Sequence, residues 1–231
     1  LPIYVPNNDL ELAADIDDRA MLQRLRSEAT THFEKFAGID GIVEELLDMI
    51  VLGNAVTRHE FDQVGRIPAC LLSGESGVGK TELARAVATA LDARLEYISF
   101  DKVQGIYVGE WAKKISSIFD AAFKSDDGNV VILFDELDGL TTTGNPHSTG
   151  NVMAVMKQKL EELARYNHVF VVATSNSLEG LDPAVIADKR IPLKLHIPLP
   201  TESELEEIYA RVLGINTAVT LNEVTLDDEA I

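Results

Sequence analysis

Gly74-Glu75-Ser76-Gly77-Val78-Gly79-Lys80-Thr81 is the stretch whose reading decides the fold. Its glycines leave backbone N–H groups uncovered, and only bare backbone comes close enough to crowded anionic oxygens to surround them with donors. The lysine adds a cation, the threonine hydroxyl is a ligand for a divalent ion, and a helix starting here turns its positive end toward the same point. Gly-x4-Gly-Lys-Thr is therefore a phosphate-binding loop, and the ligand it predicts is Mg-ATP. The nucleotide-binding candidates are Gly74, Ser76, Gly77, Val78, Gly79, Lys80, Thr81 and Glu82, with Lys80 directed at the β and γ oxygens.

The flanks supply what the loop needs. Ala69-Cys70-Leu71-Leu72-Ser73 is an apolar run suited to a buried strand, and residues 82–91 have helical spacing. Further short strands are predicted over 95–99, 130–134, 169–174 and 193–197, with helices over 110–123 and 151–166. Alternation of this kind calls for an α/β fold, a five-stranded parallel sheet flanked by helices, with ligands at the carboxyl ends of the strands. Upstream, apolar positions recur at helical spacing over 9–31, and a second helix is predicted over 42–52. Beyond Pro200, Thr201-Glu202-Ser203-Glu204 offers an N-cap and an acidic first turn to a separate helix over 205–213. The expected organisation is a helical segment 1–32, an α/β domain 33–200, and the beginning of a helical lid over 201–231. The chain opens without Met and ends without a terminating signal, which fits either a fragment or a sequence assembled from ordered segments.

With 231 residues and 46% hydrophobic content, the chain can bury a substantial core. Its 38 acidic against 20 basic residues give a net charge of −18, which disfavours gripping nucleic acid through a broad basic surface. The apolar runs are too short to span a membrane, and the first residues lack the pattern of a secretory signal. Cys70, the single cysteine, falls inside a strand pattern and reads as packing. A cytoplasmic or other reducing compartment is expected.

The reactive residues lie farther along. Val130-Val131-Ile132-Leu133-Phe134-Asp135-Glu136 is an apolar strand ending in two carboxylates, roughly fifty residues after the phosphate loop. Asp135 is placed to hold Mg²⁺ together with Thr81, and Glu136 to orient and polarise the water that attacks the γ-phosphate. Another strand ends in Ser175-Asn176, and an amide there could bond both the γ-phosphate and that water. Asn176 is therefore the candidate sensor.

On these residues the chain resembles an AAA+ ATPase, and within that group the AAA subgroup of hexameric protein remodellers such as p97, katanin, spastin and the proteasomal ATPases. The resemblance runs from about Phe33 to about Leu213, and the spacing from Asn176 through Asp182-Pro183-Ala184 to Pro198-Leu199-Pro200 fits without a gap. It implies that Phe36, Ala37 and Gly38 contact adenine through their backbone. It implies that Tyr107, Val108 and Gly109 belong to a pore loop that grips a protein substrate, the loops of a hexameric ring lining a narrow channel. It also implies that a neighbouring subunit completes the ATP site with arginine. Here the usual Arg-x-Gly-Arg is Ala187-Asp188-Lys189-Arg190, so Arg190 is the remaining candidate, with Lys189 beside it.

Myosin motors and bacterial enhancer-binding activators share Gly-Glu-Ser-Gly-x-Gly-Lys, but the former are far larger and the latter carry a Gly-Ala-Phe-Thr-Gly-Ala loop absent here. His59-Glu60-Phe61-Asp62-Gln63 lacks the second histidine of an AAA protease. Two alternatives stay open: a nucleotide-gated scaffold that hydrolyses little, motivated by Ala187, and a clamp- or helicase-loader module, disfavoured by charge.

Overall fold

The computed structural model describes residues 16–57, 66–100, 108–140, 146–179 and 181–213. Helix α1 (Ile16–Thr30) leads through a 3-10 turn into α2 (Asp40–Thr57). The α/β order follows as β1 (Ala69–Ser73), α3 (Lys80–Ala90), β2 (Ala93–Ser99), α4 (Val108–Phe123), β3 (Asn129–Asp135), α5 (Pro146–Glu162), β4 (Val169–Ser175) and β5 (Leu193–His196), and α6 (Glu202–Leu213) closes the described chain. The expected five-stranded parallel sheet is borne out, in the order β2-β3-β4-β1-β5.

Strand β3 shows why the sheet takes helices on both faces. It is buried along its whole length, and period-2 alternation sends successive residues to opposite faces. Val130, Ile132 and Phe134 join Trp111, Ile115 and Phe119 of α4 and Met156 and Leu160 of α5. Val131 and Leu133 join Leu83 and Val87 of α3 and Leu46 and Ile50 of α2 on the other side. On the first face Phe134 lies between Phe100 and Phe119, with ring centroids 5.8 and 5.9 Å away, inside the range in which aromatic pairs attract beyond their buried area. Cys70 is fully buried in the second cluster, and desolvation pushes its thiol up to about 12, in keeping with a packing residue.

Several predicted boundaries move, by at most five residues. Helix α2 extends beyond 42–52 at both ends, α5 begins at Pro146 and hands over to a 3-10 turn at Leu163–Arg165, and β4 takes in Ser175. Of the predicted helix over 9–31, residues 9–15 lie outside the described residues. Its described part packs on α2 through Leu25, Val51 and Ala55, and Arg26 forks to Asp48 and Glu44. The capping box at Thr201 forms as the sequence suggests: the Thr201 backbone N–H donates to Glu204 Oε2 at 2.7 Å, and the Glu204 N–H donates to Thr201 Oγ1 at 3.4 Å. No helix among the described residues is long and apolar enough to cross a membrane.

Because the strands run parallel, their carboxyl ends share one edge. Ser73 of β1 stands beside Ser175 of β4 and His196 of β5, and Asp135 ends β3 on the same side. The phosphate loop, Glu136 and Asn176 all leave the sheet there.

Candidate nucleotide site

The phosphate loop turns where β1 ends. Gly74, Gly77 and Gly79 have φ of 151°, 89° and 93°, which L side chains rarely adopt. At Gly74 there is also no room, since a Cβ would lie 2.4 Å from the Ile197 carbonyl oxygen. At Gly77 and Gly79 a Cβ would meet nothing within 4 Å, so glycine is required there by backbone conformation while the space beside it stays open. Helix α3 then starts at Lys80 with its N-terminus at the loop.

Lys80 is buried, and its ammonium donates to the Gly74 carbonyl at 2.8 Å, the Glu75 carbonyl at 2.7 Å and Asn176 Oδ1 at 2.9 Å. Burial lowers its pKa from the ordinary lysine value, against the opposing charges of Asp138, Asp135 and Glu136. Asn176 is itself oriented. Its side-chain amide N–H donates to Asp138 Oδ2 at 3.4 Å and its backbone N–H to Asp138 Oδ1 at 3.1 Å, which leaves its carbonyl oxygen for Lys80.

The two carboxylates at the end of β3 are arranged through one hydroxyl. Thr174 Oγ1 donates to Asp135 Oδ1 at 2.6 Å and accepts the Glu136 backbone N–H at 3.0 Å. Thr81 Oγ1 donates to the same Asp135 oxygen at 2.9 Å, and the Tyr97 hydroxyl donates to Oδ2 at 2.8 Å. Glu136 has φ of 57°, a left-handed conformation that costs a non-glycine residue about 1–2 kcal/mol. That backbone breaks the alternation of β3, and Glu136 lines the cleft next to Asp135.

Ser76, Gly77, Gly79, Lys80, Thr81, Glu82, Asp135, Glu136 and Asn176 therefore line one cleft of about 200 Å³. Thr174 also lines it and was not foreseen; nor were Tyr97 and Asp138. A hydroxyl before Asn176, and an aspartate two residues after Glu136, were the available signals, and neither means anything until β3 and β4 are in register.

The donor set fits a nucleoside triphosphate with Mg²⁺. The open glycine backbone and Lys80 face the cleft beside the N-terminus of α3. Among the described residues no group of three or more His, Cys, Asp or Glu could hold a metal unaided. Magnesium suits such a site, because it commonly takes one or two protein ligands and completes its shell with phosphate and water. Thr81 and Asp135, whose side chains meet in the cleft, are the residues here that could hold it.

Phe36, Ala37 and Gly38 lie beyond that lining. Arg211 of α6 donates to the carbonyls of Glu34 and Phe36 at 2.7 and 2.6 Å, and Gly38, with φ of 73°, would place a Cβ 2.6 Å from the Glu204 side chain. Helix α6 is thus seated on this segment. Tyr107 lies outside the described residues, whereas Val108 and Gly109 open the first turn of α4.

Arg190 does not extend outward as a residue reaching toward a neighbour would. It is only 8% exposed, and its guanidinium donates to the Lys157 carbonyl at 3.3 Å, to Glu161 Oε1 at 2.5 Å and to the Ala184 carbonyl. The physical reason is local: the turn at 188–190 points the side chain back at α5, where backbone carbonyls and a carboxylate are waiting. Lys189 is the exposed cation of the pair, 3.0 Å from the same Glu161 oxygen.

A parallel α/β sheet with a phosphate loop after β1, an amide at the end of the adjoining strand β4 and a carboxylate pair at the end of the next strand, β3, defines a phosphate-loop nucleotide-hydrolase core. The chain belongs to the AAA family, the ATPase family associated with various cellular activities, whose model matches residues 70–199. Among curated relatives it is 33% identical over 214 residues to a proteasome-associated ATPase of Acidimicrobium ferrooxidans, covering 84% of this chain and 37% of the relative. It is 28% identical over 225 residues to the 26S proteasome regulatory subunit 6A of Saccharomyces cerevisiae, covering 94% of this chain and 50% of the relative. The same subunit of Schizosaccharomyces pombe is 26% identical over 225 residues, covering 93% and 51%. The chain is thus an AAA-family ATPase module that is similar to proteasomal ATPases, and it spans about half or less of the length of these relatives.

Proposed function

We propose that this chain binds and hydrolyses Mg-ATP as the motor module of a ring-forming machine, a hexamer, that remodels or unfolds a protein substrate in a reducing compartment. The observation that carries the catalytic part is the bridge at Thr174, whose single hydroxyl positions both Asp135 and Glu136 while Asn176 is tied to Lys80. Bound Mg²⁺ would neutralise developing phosphate charge. Lys80 draws the phosphates into the loop, Thr81 and Asp135 hold the cation, Glu136 orients the attacking water and takes its proton, and Asn176 senses the γ-phosphate. Phe36, Ala37 and Gly38 would receive the adenine beneath α6, the start of a lid over 201–231. The Tyr107 loop with Val108 and Gly109 would grip the substrate, a role supported by the names of the relatives.

Replacing Glu136 by Gln tests the core of this reading. Nucleotide affinity is expected to stay within about twofold while turnover falls at least about a hundredfold. Persistent turnover would remove Glu136 from the role.

One observation favours a second reading, a nucleotide-gated scaffold with little hydrolysis. Ala187 supplies no arginine, and Arg190 is occupied inside its own chain. In the motor reading, assembly must draw Arg190 out or use Lys189 in its place. Turnover per chain that rises with protein concentration supports the motor, and turnover near zero at all concentrations supports the scaffold.

A further inference from the structure

We propose that Tyr97 is a positioning residue of the cation site, holding the Asp135 carboxylate in the rotation at which it serves a divalent ion; this rests on the reading of Asp135 as the metal-holding carboxylate. Both hydroxyls that reach Oδ1, those of Thr81 and Thr174, come from residues on the loop side and the β4 side of β3. They fix one oxygen. A carboxylate held at one oxygen still rotates about its Cβ–Cγ bond, and the Tyr97 hydroxyl, 2.8 Å from Oδ2, supplies the second point that stops it.

The placement is built by the sheet. Tyr97 of β2 pairs with Leu133, two residues before Asp135, so the three positions share a face and a side chain leaning along the strand reaches from one pair to the next. The Tyr97 ring is 49% exposed, so it contributes little to the core, and its hydroxyl is the part with a defined task. The Arg85 guanidinium lies 5.4 Å from the ring centroid and holds the ring against α3. Asp135 itself is 7% exposed, which makes the direction of its oxygens matter more than it would in water.

Tyr97→Phe removes the hydroxyl and little else. The test is binding of a fluorescent ATP analogue to the Glu136→Gln protein, with and without Tyr97→Phe, in EDTA and over a series of Mg²⁺ concentrations, so that turnover does not enter. Binding in EDTA is expected to be unchanged, and the Mg²⁺ concentration at half-effect to rise roughly three- to tenfold, a modest value because the phenol is half exposed. Arg85→Ala, which frees the ring but keeps the hydroxyl, is expected to shift it in the same direction by less. An unchanged or lower Mg²⁺ requirement in Tyr97→Phe overturns the proposal, as does an equal loss of binding in EDTA. If the Tyr97-containing protein binds the analogue with no Mg²⁺ dependence, the cation reading of Asp135 falls and the role of Tyr97 with it.

Discussion

The sheet edge that carries the phosphate loop and the turn from Asp182 to Arg190 are both rich in polar side chains, yet they use them differently. At the sheet edge, carboxylates are met mainly by neutral donors: Asp135 by three hydroxyls, Asp138 by a hydroxyl and the two N–H groups of Asn176. Those bonds orient the acids without pairing them to a cation of the same chain, as the proposed function would require of Asp135. In the turn, cations close on carboxylates and carbonyls of the same chain: Lys157 on Asp182, Arg190 and Lys189 on Glu161. The residues that line the cleft are held in place by one chain, whereas of the two cations expected to serve a neighbour Arg190 is folded inward and Lys189 stays exposed beside Glu161. Under the proposed function the difference would mean that a single chain is prepared to bind nucleotide before it is prepared to complete another chain's site.

The largest effect expected is from breaking the assembled half at Gly74. Gly74→Ala would demand φ of 151° from an L residue and place a methyl 2.4 Å from the Ile197 carbonyl, in a loop pinned between β1 and β5. We expect stability to fall by about 2–4 kcal/mol and ATP affinity by at least about tenfold, read by thermal melting and nucleotide titration. By contrast, a change in the turn should leave binding of nucleotide to the single chain nearly intact.

Arg190→Ala sharpens that contrast. If the guanidinium is a clamp within its own chain, the dilute monomer loses about 2 kcal/mol and melts roughly 4–8 °C lower, while its affinity for ATP stays the same. If assembly draws Arg190 out to a neighbour, turnover of the concentrated protein also falls, and Lys189→Ala leaves that turnover unaltered. A monomer melt unaffected by Arg190→Ala would show that the inward bonds contribute nothing.

How much of this was legible beforehand follows the same division. The strands could be read because runs such as 130–134 are apolar on both faces, and the loop because its glycines and Lys80 have a fixed spacing. Asp135, Glu136 and Asn176 were legible as residues that end strands, since parallel strands bring their ends to one edge. Thr174, Tyr97 and Asp138 were not, because their meaning depends on lateral register: Tyr97 reads as an ordinary strand aromatic until β2 lies beside β3. The inward placement of Arg190 was illegible for another reason. Sequence position says where a side chain begins and not where it points, and its acceptors at Lys157 and Ala184 are backbone carbonyls, which carry no sequence signature.

The smallest effect lies within the turn and concerns pH. Lys157 and Asp182 stand 2.5 Å apart with side chains 30% and 29% exposed. The hydrogen bond from Lys157 comes first among the causes that hold the Asp182 carboxyl below the usual aspartate range, helped by the Ala184 backbone N–H at 2.8 Å and opposed by desolvation. A carboxyl with a depressed folded pKa contributes stability that is fully present above its unfolded value of about 4 and is lost as pH falls through the folded value. Asp182→Asn should therefore lower stability near neutrality, and the gap between it and the parent protein should close in that acid window. Denaturation followed from pH 7 down to pH 2 would show this, and a gap that stayed constant would mean that Asp182 holds the turn through its hydrogen bonds with no contribution from its charge. In that case the turn would be built like the sheet edge after all, and the inward fold of Arg190 would have to be explained by geometry alone.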